Sequence, residues 1–293
     1  MSDRNNLDRM AIPAQDQIPN NAGPQIPTPH LQQPSGLQFS VPTEFVDLPS
    51  KGKYYPDGHP LKNKTSIEVK FMTAKEEDIL ASTTLIRKGI VFDRLLQSII
   101  VDPIDPNDLL IGDKIAILIS SRINGYGTDY QTEIKCPSCG SSSKFSFDLS
   151  DSKASITTDH DFKKEMGVTE TESGTFIINV ENLGRSIEVK PLNGHDEKRL
   201  SYMLDAKAKN NFVESLVTDT LKTYIVSVDG DSSPNTINSF VDTLPARESR
   251  RIRTIYKHAV PRIEVTSPYS CASCGYQQEL EVPLNTDFFW PND

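Results

Sequence analysis

The sequence has no long apolar run, no excess of basic residues and no cysteines outside two short clusters, and each absence narrows what it does. Its longest apolar stretches, such as Ile115 to Ile119, fall far short of the roughly 20 residues needed to span a bilayer. With 31 Lys and Arg against 40 Asp and Glu the net charge is -9, so the overall field repels phosphate backbones and anionic lipid. The five histidines, His30, His59, His160, His195 and His258, are scattered, and none lies beside a cysteine pair or a serine nucleophile motif. Asn124-Gly125-Tyr126-Gly127 is too short, and comes too late after its helix, to cradle a phosphate. No enzymatic constellation is recognisable, so a non-enzymatic protein is expected. No stretch reads as a signal peptide, which points to the cytoplasm.

The four cysteines form two alike settings, Cys136-Pro137-Ser138-Cys139-Gly140 and Cys271-Ala272-Ser273-Cys274-Gly275. Alternating residues flank each pair: Tyr130, Thr132, Ile134 and Phe145, Phe147, Leu149 around the first, Ile263, Val265 and Leu280, Val282, Leu284 around the second. Such alternation marks strands, so each pair is expected at the tip of a strand-turn-strand unit. Two thiolates separated by two residues reach one tetrahedral ion if the chain turns sharply after the second, and Gly140 and Gly275 permit that turn. Two such knuckles supply four sulfurs, closing a structural Zn2+ site on Cys136, Cys139, Cys271 and Cys274 with no open position for catalysis. The competing readings are a redox Cys-x-x-Cys, a disulfide framework or inert buried thiols. A redox motif is expected once, at a helix start, and a chain of 293 residues needs no disulfide staples to hold a core.

Residues 1–40 are rich in Pro, Gln and Asn, lack periodicity, and read as a disordered tail. The fold is expected over 41–149 as a first half, 150–173 as a polar connector and 174–293 as a second half. In the first half, Phe45 to Leu48 and Ile67, Val69, Phe71 read as strands. Thr73-Ala74-Lys75-Glu76 is a capping box opening a helix to Gly89; Val91, Leu95 and Ile99 mark a second helix. Asp105-Pro106-Asn107-Asp108 is expected to cap a third, running through Ile115 and Leu118. In the second half, Phe176 to Val180 and Ile187 to Lys190 read as a hairpin, followed by a helix around Leu200, a strand from Tyr224 to Val228, and a helix from about Ala246 to His258. Ile187-Glu188-Val189-Lys190 repeats Ile67-Glu68-Val69-Lys70. The expectation is therefore an α+β chain, internally duplicated over roughly Ser66 to Leu149 and Ser186 to Leu284, with two α/β halves joined by a four-cysteine zinc ribbon.

Three features need weighing. His195-Asp196 is half of a catalytic triad or, as a His-Asp pair at a helix start usually is, a cap. Asp102, Asp105 and Asp108 lack the glycine and terminal glutamate of a calcium loop. Arg247, Arg250, Arg251 and Arg253 crowd one helix, which suits a solvated face or an acidic protein partner, and leaves a zinc-ribbon nucleic-acid-binding factor as the alternative function.

Leu48-Pro49-Ser50-Lys51-Gly52-Lys53-Tyr54-Tyr55-Pro56, the second cysteine knuckle, Leu280-Glu281-Val282-Pro283-Leu284 and Asp287-Phe288-Phe289-Trp290-Pro291 together resemble baseplate hub subunit proteins of T4-like contractile-tailed phages. The resemblance implies a virion or tail-assembly protein, made in the host cytoplasm and acting through contacts with other baseplate or hub proteins. Phe288, Phe289 and Trp290 are three consecutive large aromatics, costly to leave in water. They are expected either to anchor a partner or to pack on the chain itself.

Overall fold

The computed structural model describes residues 40–150, 160–209, 215–283 and 286–289. The expected tail before Ser40, residues 151–159 of the expected connector, Leu284 and Trp290 lie outside them. The described residues from Val41 onward belong to one compact unit of mixed α and β structure.

The chain enters through an antiparallel pair, β1(Thr43–Asp47) and β2(Ser66–Lys70), in which Val46 pairs with Ile67. Alternation turns Val46, Ile67 and Val69 into the core and leaves Thr43, Phe45 and Asp47 exposed. Three helices follow, α1(Ala74–Ala81), α2(Thr83–Arg87) and α3(Val91–Ile99). The single helix expected from Thr73 to Gly89 is thus two. Ser82 between them adopts an extended conformation with ψ 101°, in a Ser-Thr-Thr run whose hydroxyls compete with helical hydrogen bonding. The capping box is present, with the Thr73 amide donating to the Glu76 carboxylate at 2.9 Å. After α3, Ile100 bridges to Val69 and the Val101 amide donates to Glu68 O at 3.2 Å, continuing the sheet.

The third expected helix begins later than its sequence signal. Asp105 to Leu110 is a turn, and α4(Ile111–Tyr126) starts five residues past Pro106. The reason lies in the second half of the chain: Gly194 N donates to Leu109 O, His195 N to Asn107 O, and Ile111 N to Leu192 O. Backbone groups that would have closed the first helical turn are spent on that segment. A side chain at Gly194 would meet Asn107 Cα at 2.8 Å, so only glycine admits the approach. The hairpin β3(Asp129–Lys135) and β4(Ser142–Asp148) closes this part.

Past residue 160, α5(His160–Glu165) and β5(Thr169–Glu170) form within what reads as connector. β5, β6(Phe176–Val180), β7(Arg185–Val189) and β8(Ile225–Val228) make a four-stranded antiparallel sheet in that order, with α6(Gly194–Lys209) and α7(Leu216–Tyr224) between β7 and β8. Then come α8(Pro234–Thr243), which lacks a counterpart in the sequence reading, and α9(Ala246–Ala259). β9(Thr266–Ser270) and β10(Gln277–Glu281) form the last hairpin, starting just after the expected Ile263 and Val265, and a 3-10 turn spans Thr286–Phe289.

Two cores result. One gathers the apolar faces of β2, α3, α4 and the β3–β4 hairpin; the other holds Phe176, Ile178, Ile187, Val189, Leu221, Ile252 and Ile255. The last hairpin sides with the first core: Val265 is buried in it, and Ile263, Leu280 and Val282 pack against it. The ends of the folded chain therefore close on each other.

Candidate metal centre

The two cysteine turns are built alike. In each, the first cysteine's amide donates to the carbonyl five residues on, Cys136 to Ser141 and Cys271 to Tyr276, both at 2.8 Å. In each, the glycine's amide returns to that cysteine's carbonyl, Gly140 to Cys136 and Gly275 to Cys271, both at 2.9 Å. The glycines take φ 72° and 71°, the left-handed region that bends the chain without strain only for glycine. The hairpins carry these turns on short ladders, Lys135 opposite Ser142 and Ser270 opposite Gln277.

The hairpins meet tip to tip. Cys136 Sγ lies 3.8 Å from Cys274 Sγ, and Cys139 Sγ lies 3.7 Å from Cys271 Sγ, so each close pair joins the two hairpins. All four sulfurs fall within 4.8 Å of one another. Cys136 and Cys271 are buried on an apolar floor of Tyr269, Ile134, Phe145 and Leu280, while Cys139 and Cys274 face outward. The Ser141 hydroxyl, 3.5 Å from Cys271 Sγ, and the Cys274 and Ser273 amides pull the Cys271 thiol down to about 5. Ser141 also holds Cys139 below the ordinary thiol range. At Cys274 the Tyr276 amide lowers the pKa, but desolvation and the sulfurs of Cys139, Cys271 and Cys136 outweigh it and push the thiol up to about 11. Ionising one sulfur thus opposes ionising the next, a conflict that a cation bound among them would remove. Four soft thiol donors in one cluster could hold a metal ion.

The other sequence-marked residues are placed as follows. Asp196 belongs to the cap of α6: it exchanges hydrogen bonds with Asn193 and accepts Lys190 Nζ at 2.8 Å. His195 reaches Asp108 at 3.0 Å on the exposed surface. Arg247, Arg250 and Arg253 are exposed on α9; Arg251 stands 4.0 Å from Glu181. Phe288 and Phe289 are buried at 1% and 0% exposure in the first core, with Phe288 edge-on to Tyr130 and Phe289 against Phe92. Neither ring faces solvent.

Two residues that sequence reasoning passed over tie this region together. Arg122 is 1% exposed and donates to three carbonyls, Phe288 and Gly127 at 2.8 Å and Asp129 at 3.0 Å. It joins α4 and the root of the first cysteine hairpin to the C-terminal turn. Its only sequence signal is an arginine within the apolar run of α4. Asp113, fully buried, accepts from the Ser50 amide at 2.9 Å, the Ser50 hydroxyl at 2.6 Å and the Tyr55 hydroxyl at 2.7 Å. This is the structural content of the Leu48 to Pro56 motif: Ser50 and Tyr55 clamp one carboxylate, and Gly52, at φ 68°, lets the loop pass tightly over Leu61 and Lys64.

Fold and site together define a mixed α/β protein whose two cysteine hairpins converge on one four-sulfur cluster. The family is more particular. The family model described as T4 bacteriophage base plate protein matches residues 41–290, most of the chain, and the chain belongs to that family. It is thus a phage baseplate structural protein. No curated protein and no solved structure matches it. Among the described residues no helix is long and apolar enough to cross a membrane.

Proposed function

We propose that this chain is a non-enzymatic structural or assembly protein of the baseplate hub, working through contacts with other baseplate or hub proteins and assembled in the host cytoplasm. One structural Zn2+, held by Cys136, Cys139, Cys271 and Cys274, staples its two hairpins. Membership of the base plate family supports the first part. The observation that carries the second is the convergence of four thiols from two hairpins. A tetrahedral ion about 2.3 Å from each sulfur implies sulfur–sulfur edges of about 3.8 Å, and the two cross-hairpin pairs stand at 3.8 and 3.7 Å. With four protein ligands the ion's role is structural. Apparent binding energies of about 10–16 kcal/mol for such ions rival the whole stability of a domain, about 5–15 kcal/mol, so the ion fixes the mid-chain hairpin against the last one.

The same reading includes an internal duplication. Ser-Ile-Glu-Val-Lys occurs at 66–70 and again at 186–190, and a reciprocal cap opens three residues after each, at Thr73 and at Asn193. In both stretches a later helix leads into chain that pairs antiparallel with that strand, Ile100 with Val69 and Ile225 with Val189. α4 and a cysteine hairpin close the first stretch, and α8, α9 and a cysteine hairpin close the second.

Two measurements test the proposal. Elemental analysis of the purified chain is expected to give one zinc per chain; none, or two, overturns the shared site. Quantitative mass spectrometry of purified tails and of tail-assembly intermediates is expected to find the chain among hub components. Its absence from both removes the hub role.

A further inference from the structure

Among the described residues the outer edge of β1 is open: the strand pairs only with β2, and Phe45 is 72% exposed, with Val41, just before the strand, at 42%. The ladder tells which backbone groups point outward. Phe71 N donates to Pro42 O at 2.9 Å and Leu48 N to Thr65 O at 2.8 Å. In an antiparallel pair bonded and non-bonded positions alternate, so Glu44 and Val46 also direct their backbone groups at β2. The N–H and C=O of Thr43, Phe45 and Asp47 point away from it, toward solvent.

In the other sheet the matching edge is filled. Ile178 pairs with Ile187 as Val46 pairs with Ile67, which makes Ile177 the counterpart of Phe45. The outer side of Ile177 is occupied by Thr169 of β5. β1 has no such cover among the described residues. Thr43-Glu44-Phe45-Val46-Asp47 holds no lysine, no proline and no bulge, and of its two acidic residues only Asp47 shares the exposed face with Phe45.

We propose that β1 is a self-association edge, to which a second copy of this chain adds its own β1 antiparallel about a twofold axis at Phe45. The strand is self-complementary in that register. Phe45 meets Phe45 of the second copy, an aromatic cross-strand pair; Thr43, whose hydroxyl donates to Glu68 at 2.7 Å within its own chain, meets Asp47 as a neutral partner; and no like charges face each other. The outward backbone groups at positions 43, 45 and 47 supply roughly six hydrogen bonds across the axis. A slip of two residues sets Thr43 or Asp47 against Phe45 and loses the aromatic pair. The contact is isologous, so it closes at a dimer and does not run on into fibres. It does not depend on the metal or on the hub assignment.

The test is the solution mass of the full chain by sedimentation over a concentration series. The native protein is expected to dimerise. Phe45→Lys, which sets two cations face to face at the axis, is expected to leave a monomer with an unchanged melting temperature, because the ring it removes contributes little to the core. Two further substitutions read the register. Thr43→Lys places a cation opposite Asp47 and is expected to tighten the dimer, whereas Thr43→Glu places like charges there and is expected to loosen it, each by about fivefold or less per pair. A monomer at every concentration, or a dimer indifferent to Phe45→Lys, overturns the proposal; the first would leave the edge to a strand from a different protein. A dimer that responds the same way to both Thr43 substitutions overturns the twofold register.

Discussion

Replacing Arg122 by methionine keeps the buried stem and removes the guanidinium. Three carbonyls then lose their donor: Phe288 O, Gly127 O and Asp129 O, at 2.8, 2.8 and 3.0 Å. Hydrogen bonds from a charged donor are each worth about 1.5–3 kcal/mol, which gives a gross loss of roughly 4–9 kcal/mol. Relief of the arginine's desolvation, the cause that holds its pKa below the usual value, returns several kcal/mol. A net loss of about 3 kcal/mol or more is expected, a large share of a typical domain stability. In urea, with a slope of about 3 kcal/mol per M, the midpoint falls by about 1 M. Hydrogen exchange reports where: protection is lost first in β3 and around Phe288, because those are the segments the side chain joins. A midpoint shift below about 0.3 M would refute the view that Arg122 holds the C-terminal turn, and with it the account of why Phe288 and Phe289 stay inside.

Further outcomes are expected elsewhere. Cys274→Ser is expected to lower hydrogen-exchange protection in both cysteine hairpins, since each close sulfur pair joins one hairpin to the other; loss confined to residues after Arg262 would mean that the site is not shared. Asp113→Ala strands the Ser50 and Tyr55 donors and is expected to cost about 3 kcal/mol, Tyr55→Phe about 1 kcal/mol, with less than additive effects in the double variant because both act on one carboxylate. Gly194→Ala drives a methyl group to 2.8 Å from Asn107 Cα and is expected to lower the melting temperature by several degrees; no change would mean that the loop gives way freely. Burial raises the pKa of Glu76, Asp93 and Asp219, but donors outweigh it and all three lie below their ordinary values: Ser98 and Thr73 at Glu76, Lys198 and Lys114 at Asp93, Lys207 and Ser215 at Asp219. A depressed carboxylate contributes stability that is present above its unfolded value, 4.5 for Glu and 3.8 for Asp, and is lost as pH falls through the folded value. These three carboxylates therefore contribute a loss of melting temperature that sets in below about pH 5, and the fall is expected to be less steep in Asp219→Asn; an acid limb unchanged by that substitution contradicts the assignment.

What was legible from the residues alone is local. The two cysteine turns, the capping box at Thr73, the hairpin of Phe176 to Lys190 and the helix from Ala246 each follow from chemistry within a few residues: a glycine free to take positive φ, a hydroxyl or carboxylate in reach of open amides, an alternation of period two. The convergence of four sulfurs was inferable because two half-sites with one chemistry need each other. Other outcomes were set by residues far apart in the chain. The start of α4 depends on backbone groups near Gly194, the burial of Arg122 on the carbonyl of Phe288, the fate of the aromatic terminus on Tyr130 and Phe92, and the meaning of the Leu48 to Pro56 motif on Asp113. Burial and hydrogen-bond satisfaction are properties of what surrounds a group in space. A sequence states each group's demand, and only the tertiary structure decides which distant partner meets it.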